Sequence, residues 1–259
     1  MCSQVTPIAA QDRPAPALPE FEVASIKPVV PGVSTGPRVY TGGRVVINGL
    51  TLKGLVTVAF RLSYWQISGG DAWIGKNEYR VEAKPAENLR SSIKDFRYTN
   101  FDIEDEHLRE MLQALVIGRF QLKFHRETRT GDVCLLERSG KTLRLVPLET
   151  ASTGAGLSTE SSSFGSIGYA GGIWNMSATS MPQLARFAGD FYLHAPVLDR
   201  TELSGLFHYR QRVPDMEPNY TENTGSFLYF ISELGLKLER TKGPVEYLVI
   251  DHAAKPSLD

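Results

Sequence analysis

The chain has 259 residues, of which 42% are hydrophobic and 22% charged, and its 28 basic and 29 acidic side chains leave a formal net charge of −1. These are globular proportions, with length enough for one large or two medium-sized hydrophobic cores. A near-neutral balance without any Lys/Arg-rich run offers no field to a nucleic-acid backbone. The longest apolar stretches, such as Leu55 to Phe60 and Val133 to Leu136, fall far short of the roughly 20 residues that a bilayer span needs.

Residues 1–19 read as a flexible N-terminal segment, with the Pro/Ala stretch Arg13-Pro14-Ala15-Pro16-Ala17-Leu18-Pro19 at its end. Cys2, followed by Ser3 and Gln4, fits two readings. One is a lipid-anchored cysteine whose signal peptide has been replaced by an initiator Met; the other is an ordinary disordered terminus. Cys2 and Cys134 are too few for a disulfide framework and lack the paired spacing of structural zinc. Cys134 lies in the apolar run Asp132-Val133-Cys134-Leu135-Leu136, which reads as a strand with a buried, unreactive thiol. Gly32-Val33-Ser34-Thr35-Gly36 matches the pattern of a serine nucleophile elbow. Pro31 and Pro37 flank it, however, and Arg38-Val39-Tyr40 reads as a strand rather than a helix, so a Gly/Pro loop is the better reading.

Residues 149–172 contain 15 Gly, Ser or Thr in 24 positions and no Lys or Arg, the composition of a linker. It divides the chain into a first lobe, 20–148, and a second, 173–259, that resemble each other. Thr51-Leu52, Leu55 and Ala59 have the spacing of Ser180-Met181, Leu184 and Ala188, each set predicting an N-capping hydroxyl and an apolar helix stripe. Ile67, Trp73, Gly75, Tyr79 and Arg80 have counterparts 130 residues later in Val197, Leu203, Gly205, Tyr209 and Arg210. A second helix follows in each half, carried by Leu108, Met111, Leu112 and Leu115 and by Phe227, Phe230, Ile231 and Leu234. Each half then runs into a predicted strand pair. Leu122 to Phe124 and Val133 to Leu136 are separated by a turn at Thr130-Gly131; Leu236 to Leu238 and Tyr247 to Ile250 are separated by one at Gly243-Pro244. The expected fold is α+β, two tandem homologous lobes of roughly β-α-β-β-α-β-β each.

Ser91-x-x-Lys94 matches an acyl-transfer pattern without its other elements. The acidic run Asp102, Glu104, Asp105, Glu106 with His107 can be read as ligands for a divalent ion. It can also be read as capping at the start of a helix predicted over 103–117, where carboxylates meet the positive end of the dipole. His125 and Glu127 share one face of a strand, and such a pair can bind a metal or relay a proton; the repeat places Glu239 and Thr241 there in the second half. Asp251-His252, and Asp199 near His194, are further pairs that a fold can bring together.

The order Thr51-Leu52-x2-Leu55-x3-Ala59-Phe60, Tyr64 to Ile67, Tyr79-Arg80-Val81, Met111-Leu112-x2-Leu115 and Phe120-x-Leu122 loosely resembles the short N-terminal domain of secretins and TonB-dependent receptors. That resemblance implies a small periplasmic docking module. A second likeness covers nearly the whole chain. Phe21-Glu22-Val23-Ala24-Ser25-Ile26-Lys27-Pro28, Gly69-Gly70 before Trp73-Ile74, and Arg119-Phe120-x-Leu122-Lys123-x-His125-Arg126-Glu127 open the set. Val197-x-Asp199-x-Thr201-x-Leu203-x-Gly205 and Val249-Ile250-Asp251-His252-Ala253-x-Lys255-Pro256-Ser257 complete it. Together they resemble a large family of uncharacterised exported proteins expanded in soil acidobacteria. The resemblance implies export to the periplasm or outside, and no known chemistry. Arg200 and Glu202 depart from the Lys and Gly usual in that family's loop.

Two functions follow as expectations. The first is an exported two-lobed binding or interaction module of the bacterial cell envelope, its partner an envelope protein or a small signal molecule. It has no nucleic-acid partner and no transmembrane span, with Cys2 as the candidate lipid anchor. Tyr64, Trp65, Trp73, Trp174 and Tyr192 are candidate contact aromatics, although aromatics of this kind are mostly core residues. The alternative is a metal-assisted hydrolase of small esters or lactones, such as acyl-homoserine lactones, in which a divalent metal polarises the carbonyl and activates water. Its candidate catalytic residues are His107, His125 and Glu127, and its candidate metal ligands Asp105, His107 and His125. A carbohydrate- or wall-binding reading rests on the aromatics alone.

Overall fold

The computed structural model of the chain describes residues 19–30, 32, 35–90, 93, 103, 105–148, 166–212 and 224–257. In chain order the first elements are β1 (Val23–Pro28), β2 (Thr35–Tyr40), β3 (Arg44–Thr51), α1 (Leu52–Phe60), β4 (Ile67–Gly69), β5 (Glu78–Lys84), α2 (Glu87–Arg90), α3 (Glu106–Arg119), β6 (Lys123–Arg138) and β7 (Val146–Pro147). The remainder are β8 (Ser166–Ala170), β9 (Ile173–Thr179), α4 (Met181–Ala188), β10 (Val197–Asp199), β11 (Phe207–Arg212), α5 (Thr224–Glu233) and β12 (Leu236–His252). The fold is mixed α+β, with these 12 strands in three sheets.

Local sequence accounts for the elements. In β3, Val45 and Ile47 are fully buried between more exposed neighbours, the period-2 pattern of a half-buried strand. Thr51 then caps α1, its Oγ1 accepting from the Gly54 N–H at 3.1 Å and satisfying a donor that the first turn leaves open. Ser180 does the same for α4, with Gln183 completing a capping box. Asp105 caps α3 by accepting from the Leu108 N–H at 3.0 Å. That helix starts at Glu106, inside the acidic run, and ends at Arg119. The capping reading of Asp105 is therefore the one the geometry realises, while Asp102 and Glu104 lie outside the described residues.

Two of the three sheets share one antiparallel plan. They have the orders β1-β5-β3-β2 and β7-β11-β9-β8; the third, central sheet has the order β10-β6-β12-β4. Within it β6 and β12 pair antiparallel from Lys123 to Arg138, and each carries a short parallel strand from the opposite side of the sequence: β4 joins β12, and β10 joins β6. The registers match. Ile67 stands opposite Leu248 and Val197 opposite Cys134, and the offsets of 130 and 114 residues that relate these pairs also relate the next two. The Thr130–Pro244 pair is the one that the 114-residue offset maps onto itself.

This exchange extends to the cores. Leu248 and Ile250 of β12 pack with Val45, Ile47, Leu55, Leu108 and Met111 in one core, whereas Leu136 of β6 packs with Trp174, Leu184, Phe227 and Phe230 in the other. β7 likewise leaves the 20–148 segment to pair with β11. The sequence boundary at residue 148 thus falls where the chain passes between structures to which both sides contribute. The expected linker 149–172 includes β8, which pairs with β9 through a turn in which Gly171 and Gly172 both have positive φ; its residues 149–165 lie outside the described set.

The expected turns at Thr130-Gly131 and Gly243-Pro244 do not form, since β6 and β12 run through both places unbroken. The reason lies in the ladder. The Cys134 N–H donates outward to the Pro196 carbonyl at 2.8 Å, so positions of that parity, Thr130 opposite Pro244 included, form the pairs that exchange no hydrogen bonds. Pro244 therefore sacrifices no ladder bond. Gly131 and Gly243 face each other, and the side chains of Val245 and Val133 come within 3.1 Å of where their Cβ atoms would be.

Candidate functional site

Odd-numbered residues of β6 and β12 share one face of the central sheet. At one end of that face stands a row of side chains. His125 Nδ1 lies 2.9 and 3.1 Å from the two carboxylate oxygens of Asp251, and its Nε2 lies 3.2 Å from Glu127 Oε1. The Arg129 guanidinium donates to Glu127 Oε2 through Nε and Nη2 and lies 4.9 Å from the centre of the Tyr247 ring, within the range of a cation–π contact. Trp65 meets the same ring edge-on, with centroids 6.2 Å apart.

The row places one imidazole between two carboxylates. The Asp251 hydrogen bond, then that of Glu127, raises the His125 pKa above its usual value, and Arg129 followed by His125 lowers that of Glu127. Both ring nitrogens act as donors when the imidazole is protonated. They also point in diverging directions, so Asp251 and Glu127, on opposite sides of the ring, do not converge with a His125 nitrogen on one point in space. Among the described residues no group of three or more His, Cys, Asp or Glu side chains is placed to hold a metal ion. The other end of the face carries a similar string, in which Lys237 Nζ lies 2.8 Å from Glu137 and 2.9 Å from Glu239. Those two carboxylates hold its pKa above the usual lysine value.

His107 sits apart, exposed in the first turn of α3, with Nδ1 4.0 Å from the Oδ1 of the capping Asp105. Among the described residues no ion pair joins His107 or Asp105 to His125 or Glu127. The row therefore unites His125 and Glu127 and adds Asp251, Arg129 and Tyr247. Asp251 was missed as their partner because it lies 126 residues from His125 in the chain, and only the β6–β12 register brings the two together. Cys2, Ser34, Ser91 and Lys94 lie outside the described residues.

Asp199, Cys134 and Trp174 are held within the fold. Asp199 Oδ1 accepts from the backbone N–H and the hydroxyl of Thr201, closing a turn rather than meeting His194. Cys134 is buried in β6, and burial pushes its thiol pKa up. Of the candidate contact aromatics, Trp174 is a core residue stacked 4.6 Å from Phe230, with its Nε1–H donating to Ser226 Oγ at 3.1 Å. Tyr192 stacks on Phe227 and Trp73 on Phe120, Trp65 is half-buried beside Tyr247, and Tyr64 is 50% exposed.

No described helix is long and apolar enough to cross a membrane. No curated protein and no solved structure matches the chain. A family model described as "Protein of unknown function (DUF3738)" matches residues 53–253, a span that takes in α1 from its second residue, both long strands and the whole of the His125 row, and the chain therefore belongs to the DUF3738 family.

Proposed function

We propose that the chain is an exported binding module of the bacterial cell envelope, made of two homologous α+β lobes that arose by duplication, and that the face of the central sheet bearing the His125 row is its contact surface. The repeated sheet orders and matching registers support the duplication. The row supports the binding reading. Asp251, His125, Glu127 and Arg129 satisfy one another along an exposed strand face. Such an arrangement fixes side chains for recognition, whereas a base or a metal ligand needs an imidazole nitrogen with its lone pair available. The partner is an envelope protein or a small signal molecule, the setting is the periplasm or outer surface, and Cys2 supplies a lipid anchor. The hydrolase reading draws on His107, His125 and Glu127, and among the described residues no converging ligand set supports it.

The test is capture from an envelope extract of the source bacterium on the immobilised full chain, compared with Tyr247→Ala and His125→Ala chains of unchanged circular dichroism. The binding reading expects a species retained by the native chain and lost from both variants. Metal-dependent turnover of short acyl esters or lactones that disappears in His107→Ala and His125→Ala would replace it with the hydrolase.

A further inference from the structure

The sheet β1-β5-β3-β2 has one face in a core and one face outside it. Ile26, Val45, Ile47, Tyr79 and Val81 point inward, each of them buried, so by strand alternation the residues between them point outward. The register sets Lys27 beside Arg80 and Val23 beside Lys84 across β1 and β5. Arg38 and Tyr40 of β2 stand opposite Val46 and Arg44 of β3. Lys27, Arg38, Arg44, Arg80 and Lys84 are all exposed on this outer face. Two carboxylates share it: Glu82, bound by Arg80, and Glu78, half-buried at the end of β5 beside Thr51.

Five cations thus meet two carboxylates in a chain whose formal net charge is −1, so the imbalance belongs to this face and not to the composition. No described carboxylate lies within ion-pair range of Lys27, Lys84 or Arg38. The field is felt at Glu82, whose carboxyl is held below its usual pKa by Arg80 and then by Arg44 and Lys27. Apolar groups stand among the cations. Val23 is 61% exposed and Tyr40 40%, with the Arg44 guanidinium 4.3 Å from the tyrosine ring centre. Basic side chains beside an exposed tyrosine ring are the composition of a membrane interface. Spread over four strands about 4.8 Å apart, the cations form a plate, which matches an extended anionic surface better than one small anion. β1, an edge strand of this sheet, is also the first described strand after the segment that holds Cys2.

We propose that the outer face of β1-β5-β3-β2 lies against an anionic phospholipid surface, its cations meeting the headgroup phosphates and Val23 and Tyr40 seated among the headgroups. The inference rests on the proposed function only for the envelope setting, and no residue of the His125 row takes part.

Sedimentation of the full chain with lipid vesicles tests the proposal, using Cys2→Ser so that no acyl anchor contributes. Retention is expected on vesicles of mixed phosphatidylcholine and phosphatidylglycerol but not on phosphatidylcholine alone, with release as salt rises and screens the contact. Lys27→Glu combined with Lys84→Glu is expected to weaken the partition tenfold or more. Lys141→Glu combined with Lys242→Glu makes the same change of net charge at exposed sites outside this sheet, and is expected to leave the partition within about twofold; both paired variants are compared at unchanged circular dichroism. Absence of retention on the anionic vesicles, equal retention on both kinds of vesicle, or equal loss in the two paired variants would overturn the proposal. Retention on immobilised heparin without retention on anionic vesicles would overturn it in favour of a polyanionic chain as partner. Neither result bears on capture by the His125 face, which the Tyr247→Ala and His125→Ala chains read separately.

Discussion

Ile67 of β4 stands opposite Leu248 of β12, 181 residues away in the chain, and both side chains are buried in one core. Each core thus depends on a strand supplied by the other part of the sequence. Two cores joined by a linker alone would unfold independently, whereas cores that share the strands of one sheet should unfold together. We expect chains retaining only Trp73 or only Trp174 as fluorophore to report coincident denaturation midpoints. Leu248→Ala should lower both midpoints together, at a cost of about 2–5 kcal/mol. Separate midpoints, or a shift confined to Trp73, would show that the exchange carries no cooperativity.

Gly69 closes β4 and Gly70 follows it for steric reasons. Gly69 has φ 78°, and a Cβ on it would sit 2.5 Å from the Ile250 carbonyl oxygen; one on Gly70, at φ 70°, would sit 2.2 Å from Ile74 Cδ1. Backbone cannot yield as a flexible side chain does. Gly69→Ala should therefore destabilise by roughly 1–3 kcal/mol through steric overlap and left-handed strain. Gly168→Ala, with nothing within 4 Å of the new Cβ and no positive φ, should change stability by far less. Equal urea midpoints for the two variants would contradict the packing at β4.

Much of this architecture was legible in local sequence. The hydroxyl caps Thr51 and Ser180 and the helix stripes depend on residues close together in the chain. The strand exchange was not legible, because β4 and β10 are three residues each and hold no local record of which long strand they join. Thr130-Gly131 and Gly243-Pro244 have turn composition, yet the register across β6 and β12 turns the glycines toward each other and Pro244 away from the ladder. For the site, strand alternation linked His125 to Glu127 but gave no means of finding Asp251 or Tyr247, which belong to the other long strand.

His125 gives the stability profile a definite sign. Its folded pKa is raised by Asp251 and then Glu127, so its stabilising contribution is complete below the unfolded value near 6.5. That contribution is lost as pH rises through the higher folded value. The site is exposed and the effect correspondingly modest. NMR titration of the His125 ring should show a pKa above that of a model histidine, falling back toward it in Asp251→Asn and, by a smaller amount, in Glu127→Gln. An unperturbed ring titration in the native chain would remove the electrostatic basis of the row.

His208 should behave in the opposite sense. Its Nδ1 accepts from the Ala178 N–H at 3.3 Å, at the irregularity where β9 and β11 shift register, and lies 3.4 Å from Ser177 Oγ. Ala178 is itself buried and left-handed at φ 45°, so a backbone donor that the bulge withdraws from the ladder finds its acceptor in an imidazole lone pair. Burial lowers the His208 pKa, and protonation would turn Nδ1 from acceptor to donor against that N–H. Its contribution is therefore present above the unfolded value and lost as pH falls through the depressed folded one. His208→Ala should flatten the acid side of the stability–pH curve, while His125→Ala flattens the alkaline side. Denaturant midpoints measured from pH 5 to 9 separate the two, and an acid branch left unchanged by His208→Ala would show that the Ala178 N–H gains nothing from the imidazole.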